Sequence, residues 1–284
     1  NKSEICIKPK STKEVSKILR LAYKLMIPII PVGGSTGLVG GQIANETDQV
    51  ILSLEKLNEI KFHKKSNLLK VQSGAILSSI KNLAANHGRL FPLSLASEGS
   101  CQIGGNLATN AGGLNVIKYG NVRDLCLGLE AVLPNGKIFS SMKSLKKNNM
   151  GFDLKNLLIG SEGTLGIITS AILKTFPIPK NPVSVFFSVN NLKDVLVVFE
   201  KISELFQDRI LAFELIKNTG INFIKETGFS INNPFTKNTT WMVLMEIDVN
   251  IGPISLKESV EKTLYDFILN NKIVEVFIAN TLNQ

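Results

Sequence analysis

Pro31-Val32-Gly33-Gly34-Ser35-Thr36-Gly37-Leu38-Val39-Gly40-Gly41 ends an apolar run, 27–32, that reads as a buried strand, and it empties that strand into a loop almost without side chains. Glycine takes positive φ without steric cost and lets the backbone approach a ligand closely. Successive N–H groups of such a loop can converge on phosphate oxygens. Ser35 and Thr36 add hydroxyl donors. The loop is not the fingerprint of a doubly wound dinucleotide fold, because 42–49 lacks helical periodicity and no acidic residue closes a next strand at ribose-binding distance. Nor is it a Walker loop, which requires a lysine. Taken alone, it is explained equally well by a structural turn.

Two further segments have the same character. Ser100-Cys101-Gln102-Ile103-Gly104-Gly105-Asn106-Leu107-Ala108-Thr109-Asn110-Ala111-Gly112-Gly113 consists mostly of small residues with two asparagines and a threonine. It has little apolar area to bury, so it suits a backbone-lined cleft against a flat, polar-edged ligand, or else a tight helix or loop packed on a neighbour. Gly160-Ser161-Glu162-Gly163-Thr164-Leu165-Gly166-Ile167-Ile168-Thr169 is a loop feeding a strand, with the Ser161 and Thr164 hydroxyls beside free amides or, more simply, a turn. Together the three imply a flat, phosphate-bearing cofactor in a fold of another kind.

Working outward, 11–26 reads as a helix, with Ser11 and Glu14 as a capping box and Val15, Ile18, Leu19, Ala22 and Met26 on one face. Strands are expected at 50–54, 59–63 and 68–72. A helix at 76–87 should close at Gly88. Pro134-Asn135-Gly136 marks a hairpin between strands 129–133 and 137–140, and 166–176 reads as one long strand. Three prolines within 177–182 form the best linker. Past it, strands at 183–189, 211–216, 241–249 and 274–278 alternate with helices at 192–205, 219–227 and 255–270, a compact α+β or α/β unit. The domain expectation is 1–179 and 180–284.

Composition narrows the function class. The 284 residues suffice for one large or two ordinary domains. No apolar run approaches the ~20 residues of a membrane helix, and 1–10 lacks the features of a signal peptide. The chain opens without Met on strand-like residues and stops at Gln284 without a closing element, so further sequence is expected on both sides. Cys6, Cys101 and Cys126 form neither a disulfide framework nor a zinc pattern, which points to a reducing compartment. His63 and His87 read as surface or helix-end residues, and a metal centre within these residues is not expected. The net charge of +9 invites a nucleic-acid reading. However, the lysines are dispersed, with loose groups only at Lys61, Lys64, Lys65 and at Lys143, Lys146, Lys147. No aromatic residues are interleaved with them, so a solvated basic surface is preferred and no nucleic-acid partner is expected.

The strings PVGGSTGLVGG, GSCQIGGNLATNAGG with the following Tyr119-Gly120, and DLKNLLIGSEGTLGIIT resemble, in order, the signatures of the FAD-linked D-2-hydroxyacid dehydrogenases. These belong to the p-cresol methylhydroxylase/vanillyl-alcohol oxidase (PCMH) fold, and the D-2-hydroxyglutarate branch is nearest. The resemblance is strong over 7–176 and continues faintly through Ala212-Phe213-Glu214-Leu215. It implies an α+β chain: a PCMH-type FAD-binding domain of two subdomains, followed by an incomplete α/β substrate (cap) domain. It also implies oxidation of a D-2-hydroxyacid to the 2-oxoacid by hydride transfer to flavin. D-lactate dehydrogenase, a glycolate oxidase FAD subunit or a non-catalytic FAD-binding subunit are the alternatives.

By position, the resemblance assigns Gly33, Gly34, Ser35, Thr36 and Gly37, with Gly40 and Gly41, to the FAD pyrophosphate. It assigns Pro92, Leu93, Gly99, Ser100, Gly104, Gly105, Asn106, Thr109 and Asn110 to the ribityl chain and ring. Glu162, Gly163, Gly166 and Ile168 fall to the pyrophosphate and adenine side. With no histidine in the first two segments, noncovalent FAD is implied. The family's substrate arginine, paired histidines and divalent-metal site belong to a later half that these residues do not include, so no catalytic residue is assigned here and Glu214 is read as solvated or ion-paired. An electron-transfer flavoprotein or a quinone is the implied acceptor. The compartment reads as cytoplasmic, with the mitochondrial matrix left open.

Overall fold

The computed structural model describes residues 1–145, 147–180, 182–229, 234–237, 239–249 and 255–279, apart from the side chains of Ser255 and Leu256. Lys146 of the second lysine group, Asn181 of the expected linker and the stop at Gln284 lie outside the described residues. The chain forms two compact units, Asn1–Gly113 with Tyr119–Ile178, and Leu114–Lys118 with Pro179–Gln284.

The first unit opens with β1 (Ile5–Ile7), α1 (Thr12–Leu25), β2 (Ile29–Val32) and β3 (Val50–Ser53). The three strands pair in parallel in the order β1-β3-β2. α1 starts where Ser11 Oγ accepts the Glu14 amide at 3.2 Å, while the Glu14 carboxylate reaches past the cap to the Lys10 amide at 2.7 Å. Its buried Val15 and Leu19 join one cluster with Leu52 of β3 and with Leu54 and Leu57 just beyond it. Met26, expected on that stripe, is instead the left-handed C-cap at φ 57° and is 82% exposed, because the helix ends one residue before it. β2 is an edge strand and only half buried, where a buried strand was expected.

The unit continues through β4 (Ile60–His63), β5 (Leu68–Gln72), α2 (Leu77–Ala85), β6 (Arg89–Leu90) and α3 (Ile103–Ala108); the next helix, α4 (Val116–Tyr119), has all but Tyr119 grouped with the second unit, and α5 (Val122–Leu125) follows in the first. It ends with β7 (Cys126–Val132), β8 (Ile138–Ser141), α6 (Lys155–Leu158), β9 (Ile167–Lys174) and β10 (Phe176–Pro177). An antiparallel sheet of order β4-β5-β9-β7-β8 buries Leu69, Val71, Leu129, Ala131 and Leu173 against Leu77 and Ile80 of α2 and Ile103 and Leu107 of α3. Burying side chains of this size stabilises the fold by about 1.5–3 kcal/mol each.

The single strand expected at 166–176 breaks at Thr175. Its hydroxyl donates to Asn67 O at 2.7 Å and its carbonyl accepts Arg89 at 2.9 Å, so β10 leaves the sheet to pair with β6.

The second unit comprises β11 (Pro182–Val189), α7 (Leu192–Phe206), β12 (Ile210–Lys217), α8 (Asn218–Glu226), β13 (Trp241–Asp248), α9 (Ser255–Leu269) and β14 (Glu275–Ile278). All strand pairs are antiparallel, in the order β12-β13-β11-β14, which selects α+β from the two alternatives read from the sequence. Alternation along β11 sends Val185, Phe187 and Val189 to one face, under α7 and α9, and Phe186 to the other, with Ile221 of α8 and Phe235. Among the described residues no helix is long and apolar enough to cross a membrane.

Candidate functional site: a backbone-lined cleft in the first unit

The three glycine-rich segments meet in one cleft of the first unit, with about 1210 Å³ of empty space including its open mouth. Glycine permits each approach. A Cβ on Gly34 would stand 2.2 Å from the Ser100 carbonyl, so the first segment lies directly on the second. One on Gly104 would stand 2.5 Å from Ser73 Cβ, and the Gly104 amide donates to Ser73 O at 2.7 Å. Gly163, at φ +82°, presses on Pro31, whose Cγ would lie 2.6 Å from an added Cβ. The third segment is sewn to the end of α3 by Gly160 N to Leu107 O at 3.0 Å and Glu162 N to Ala108 O at 2.9 Å.

Where the glycines do not touch protein, they leave room. Nothing lies within 4 Å of a Cβ built on Gly105 or Gly41, and both residues line the cleft. Ser35 and Glu162 hold left-handed backbone at φ 54° and 51° without being glycine, strain of the kind that gathers at ligand sites.

Hydrogen-bonding capacity is left over in the same place. Among the described residues, the N–H groups of Gly33, Gly34, Ser35, Thr36 and Gly37 donate to no protein acceptor, and neither does that of Gly105. Ser73 Oγ, Gln102 Oε1 and Asn106 Oδ1, all on cleft residues, are buried without a partner. Unpaired buried polar groups cost about 1–3 kcal/mol each, so the three orphaned side-chain oxygens mark a wall suited to a ligand, while the loop amides, on exposed or half-buried residues, stay free to bind one. The wall carries no lysine or arginine, and Glu162 is its one charged side chain. Phosphate binding here would therefore rest on amide dipoles, as in an anion nest.

Of the residues assigned from sequence, Gly33, Gly34, Ser35, Thr36, Gly37, Gly41, Gly104, Gly105, Asn106, Thr109, Glu162, Gly163, Gly166 and Ile168 line the cleft. Gly40, Pro92, Leu93, Gly99, Ser100 and Asn110 do not. Leu93 belongs to the hydrophobic core, with Pro92 buried beside it. Ser100 supports Gly34 from behind, and the Asn110 side chain accepts the Arg123 amide at 3.2 Å.

Sequence reading missed Ser73, Leu95, Ser97, Cys101 and Gln102 as wall residues. Cys101 and Gln102 were visible within the second segment, whereas nothing local marks Ser73. It also missed Arg123, whose guanidinium donates to Ile159 O at 2.6 Å and to Asn156 O, and so anchors the residues that lead into the third segment.

His87 stacks on Phe62 at 4.2 Å, with Nδ1 2.9 Å from Leu83 O, and neither histidine lines the cleft. Burial pushes the Cys126 thiol up to about 12, away from the wall. Among the described residues no group of three His, Cys, Asp or Glu gathers as a metal site.

Residues 3–141 match the family described as FAD binding domain. The mitochondrial D-2-hydroxyglutarate dehydrogenase of Bos taurus is 40% identical over 215 residues, covering 75% of this chain and 39% of that protein. The D-2-hydroxyglutarate–pyruvate transhydrogenase of Saccharomyces cerevisiae is 36% identical over 236 residues, covering 81% of this chain and 47% of that protein. The chain thus spans less than half the length of these two relatives. A solved alkyldihydroxyacetonephosphate synthase superposes with a TM-score of 0.72 at 22% identity, covering 96% of this chain and 51% of that one, which shows the fold alone. The unsatisfied amides, the orphaned acceptors and the open space at Gly105 all fit a flat cofactor with a diphosphate. Residues 3–141, just under half of the chain, match the FAD binding domain family, and this match together with the cleft supports FAD as the cofactor.

Proposed function

We propose that the chain is the FAD-holding part of a D-2-hydroxyacid dehydrogenase, with D-2-hydroxyglutarate as the first substrate to test. The carrying observation is the cleft itself, where unpaired amides and acceptors meet at glycines that leave open space. The relatives named above supply the substrate class. Gly33, Gly34, Ser35, Thr36 and Gly37 would bind the diphosphate through their amides. Gly105 would leave room for the ligand body, and Glu162 and Gly163 would close the far wall. FAD, when bound, supplies the acceptor for a hydride from the substrate carbon. This chain's residues bind and orient it and exclude water from one side. None is assigned to proton removal.

The binding is noncovalent in this reading, since both histidines lie off the wall. The substrate is a small D-2-hydroxyacid, and a flavoprotein or quinone takes the electrons onward. The cattle relative is named as mitochondrial, and the three free cysteines suit a reducing compartment, matrix or cytosol.

The visible spectrum of the purified chain, recorded before and after acid precipitation, tests the reading. Flavin bands that pass into the supernatant are expected. A folded but colourless chain that takes up no added FAD overturns the cofactor assignment. In the longer protein, bleaching by D-2-hydroxyglutarate is expected, and bleaching only by D-lactate or glycolate would replace the substrate.

A further inference from the structure

The five-stranded sheet of the first unit carries a second pocket, of about 540 Å³ with its open mouth included, that shares no lining residue with the glycine-rich cleft. Strand register builds it. Glu130 of β7 stands opposite Ser170 of β9, and Ser170 stands opposite Gln72 of β5. The row reaches Glu59, just before β4, where the Glu59 amide donates to Gln72 Oε1 at 3.0 Å. Two residues back along β5, Lys70 pairs directly with Lys61 of β4. Directly paired residues share a face, and the residues between them, Leu69, Val71, Leu129 and Ala171, carry the core on the other face under α2 and α3. Thr12 of α1 and Met142, just after β8, wall the pocket in. Ser170 is only 7% exposed and Glu130 is half buried, so this is not an open solvated face.

The charges in the pocket are balanced but unevenly paired. Like charges directly opposite on neighbouring strands repel, as Lys61 and Lys70 do here. Lys61 is neutralised by Glu59 at 3.4 Å, whereas Lys70 has no carboxylate partner among the described residues. Glu130 Oε1 accepts the Thr12 hydroxyl at 2.7 Å and the Thr169 hydroxyl at 3.0 Å, and no cation faces the group among the described residues. A free ammonium and a free carboxylate thus line one pocket.

Hydrogen-bonding roles follow the same division. Ser170 spends its proton on Val71 O at 2.8 Å, so its oxygen is left as an acceptor beside Glu130. Gln72 spends its amide oxygen on Glu59, so its NH2 group is left as a donor on the strand of Lys70. Acceptors therefore sit on β7 and β9 and donors on β5. Strands about 4.8 Å apart with a rise of about 3.4 Å per residue put the Cα atoms of Lys70 and Glu130 about 12 Å apart, a span that two side chains and a short ligand fill.

We propose that this pocket binds a small zwitterion of the amino-acid type. Glu130 and Ser170 take its ammonium group, and Lys70 and Gln72 take its carboxylate. A phosphate or a dicarboxylate fits less well, because two lysines and two glutamates leave the pocket without net charge and Glu130 repels a second negative group. The site stands on its own residues and does not depend on the FAD reading.

Nuclear magnetic resonance titration of the isotope-labelled chain tests it, with glycine, β-alanine and γ-aminobutyrate as probes and acetate, methylammonium and phosphate as controls at constant ionic strength. At least one zwitterion should shift the Gln72 and Ser170 amides saturably, and each control should bind about tenfold or more weakly. Lys70→Gln and Glu130→Gln should each weaken that zwitterion by about tenfold or more. Glu130→Gln keeps an oxygen for Thr12 and Thr169, and Lys70 is an exposed side chain, so both variants should melt within about 2 °C of the unaltered chain. The site is overturned if no zwitterion gives a saturable shift at these amides. Acetate or phosphate binding as tightly as the best zwitterion, or zwitterion binding that survives both substitutions, overturns it equally.

Discussion

Single residues in the cleft separate structure from ligand binding. Gly34 has no space for a side chain, because a Cβ would meet the Ser100 carbonyl at 2.2 Å. Gly34→Ala should cost about 1–3 kcal/mol of stability by overpacking and lower the urea midpoint. Gly105 faces open space, so Gly105→Leu should unfold at an unchanged or higher urea concentration while FAD binding weakens by at least about tenfold. A drop in stability for Gly105→Leu would show that the cleft is not where that glycine points.

Cys126 supplies a pH test. Burial raises its thiol from 9.0 to about 12, so between those values the folded chain holds a proton that the unfolded chain has lost. Stability from this group is complete below about pH 9 and falls as pH rises toward 12. The urea midpoint should decline over that range in the unaltered chain and decline less in Cys126→Ala.

At the scale of elements, capping and anchoring are separable. Ser11 begins α1 by accepting the Glu14 amide, and Ser11→Ala should cost about 1 kcal/mol without affecting FAD binding. Arg123 acts on the cofactor segments instead. Its guanidinium holds the Asn156 and Ile159 carbonyls while its own amide is held by Asn110, so α5 ties the second segment to the third. Arg123→Lys keeps the charge but not the fork, and should speed hydrogen exchange at the Gly160 and Glu162 amides while weakening FAD. Unchanged exchange there would remove Arg123 from the support of the site.

Elements with strong periodicity were legible from sequence. β5 and α7 fall within a residue of expectation, because alternation and the 3.6-residue stripe are local signals. α3 was legible only as one alternative, a tight helix or loop, since Gly104 and Gly105 within it are poor helix formers and its N-terminal turn is held by Ala75 and Ser73 carbonyls that lie far away in sequence.

For the whole molecule, the proposed FAD cleft lies in the first unit, and ligand linkage should appear there alone. Free FAD at one hundred times its Kd adds about 2.7 kcal/mol to the stability of the unit that holds it. Calorimetric scans at rising FAD should move one transition and leave the other in place. Movement of both by equal amounts would mean that the two units unfold as one.

The sequence by itself determined the three glycine-rich segments, the order of most strands and helices and the cofactor class, because glycine spacing and periodicity are properties of neighbours along the chain. Only the tertiary structure decided that the second sheet is antiparallel, that Leu93 is core while Ser73 is wall, and that three buried polar atoms on wall residues are left without partners. These depend on which carbonyl or side chain arrives from tens of residues away, and no local pattern carries that information.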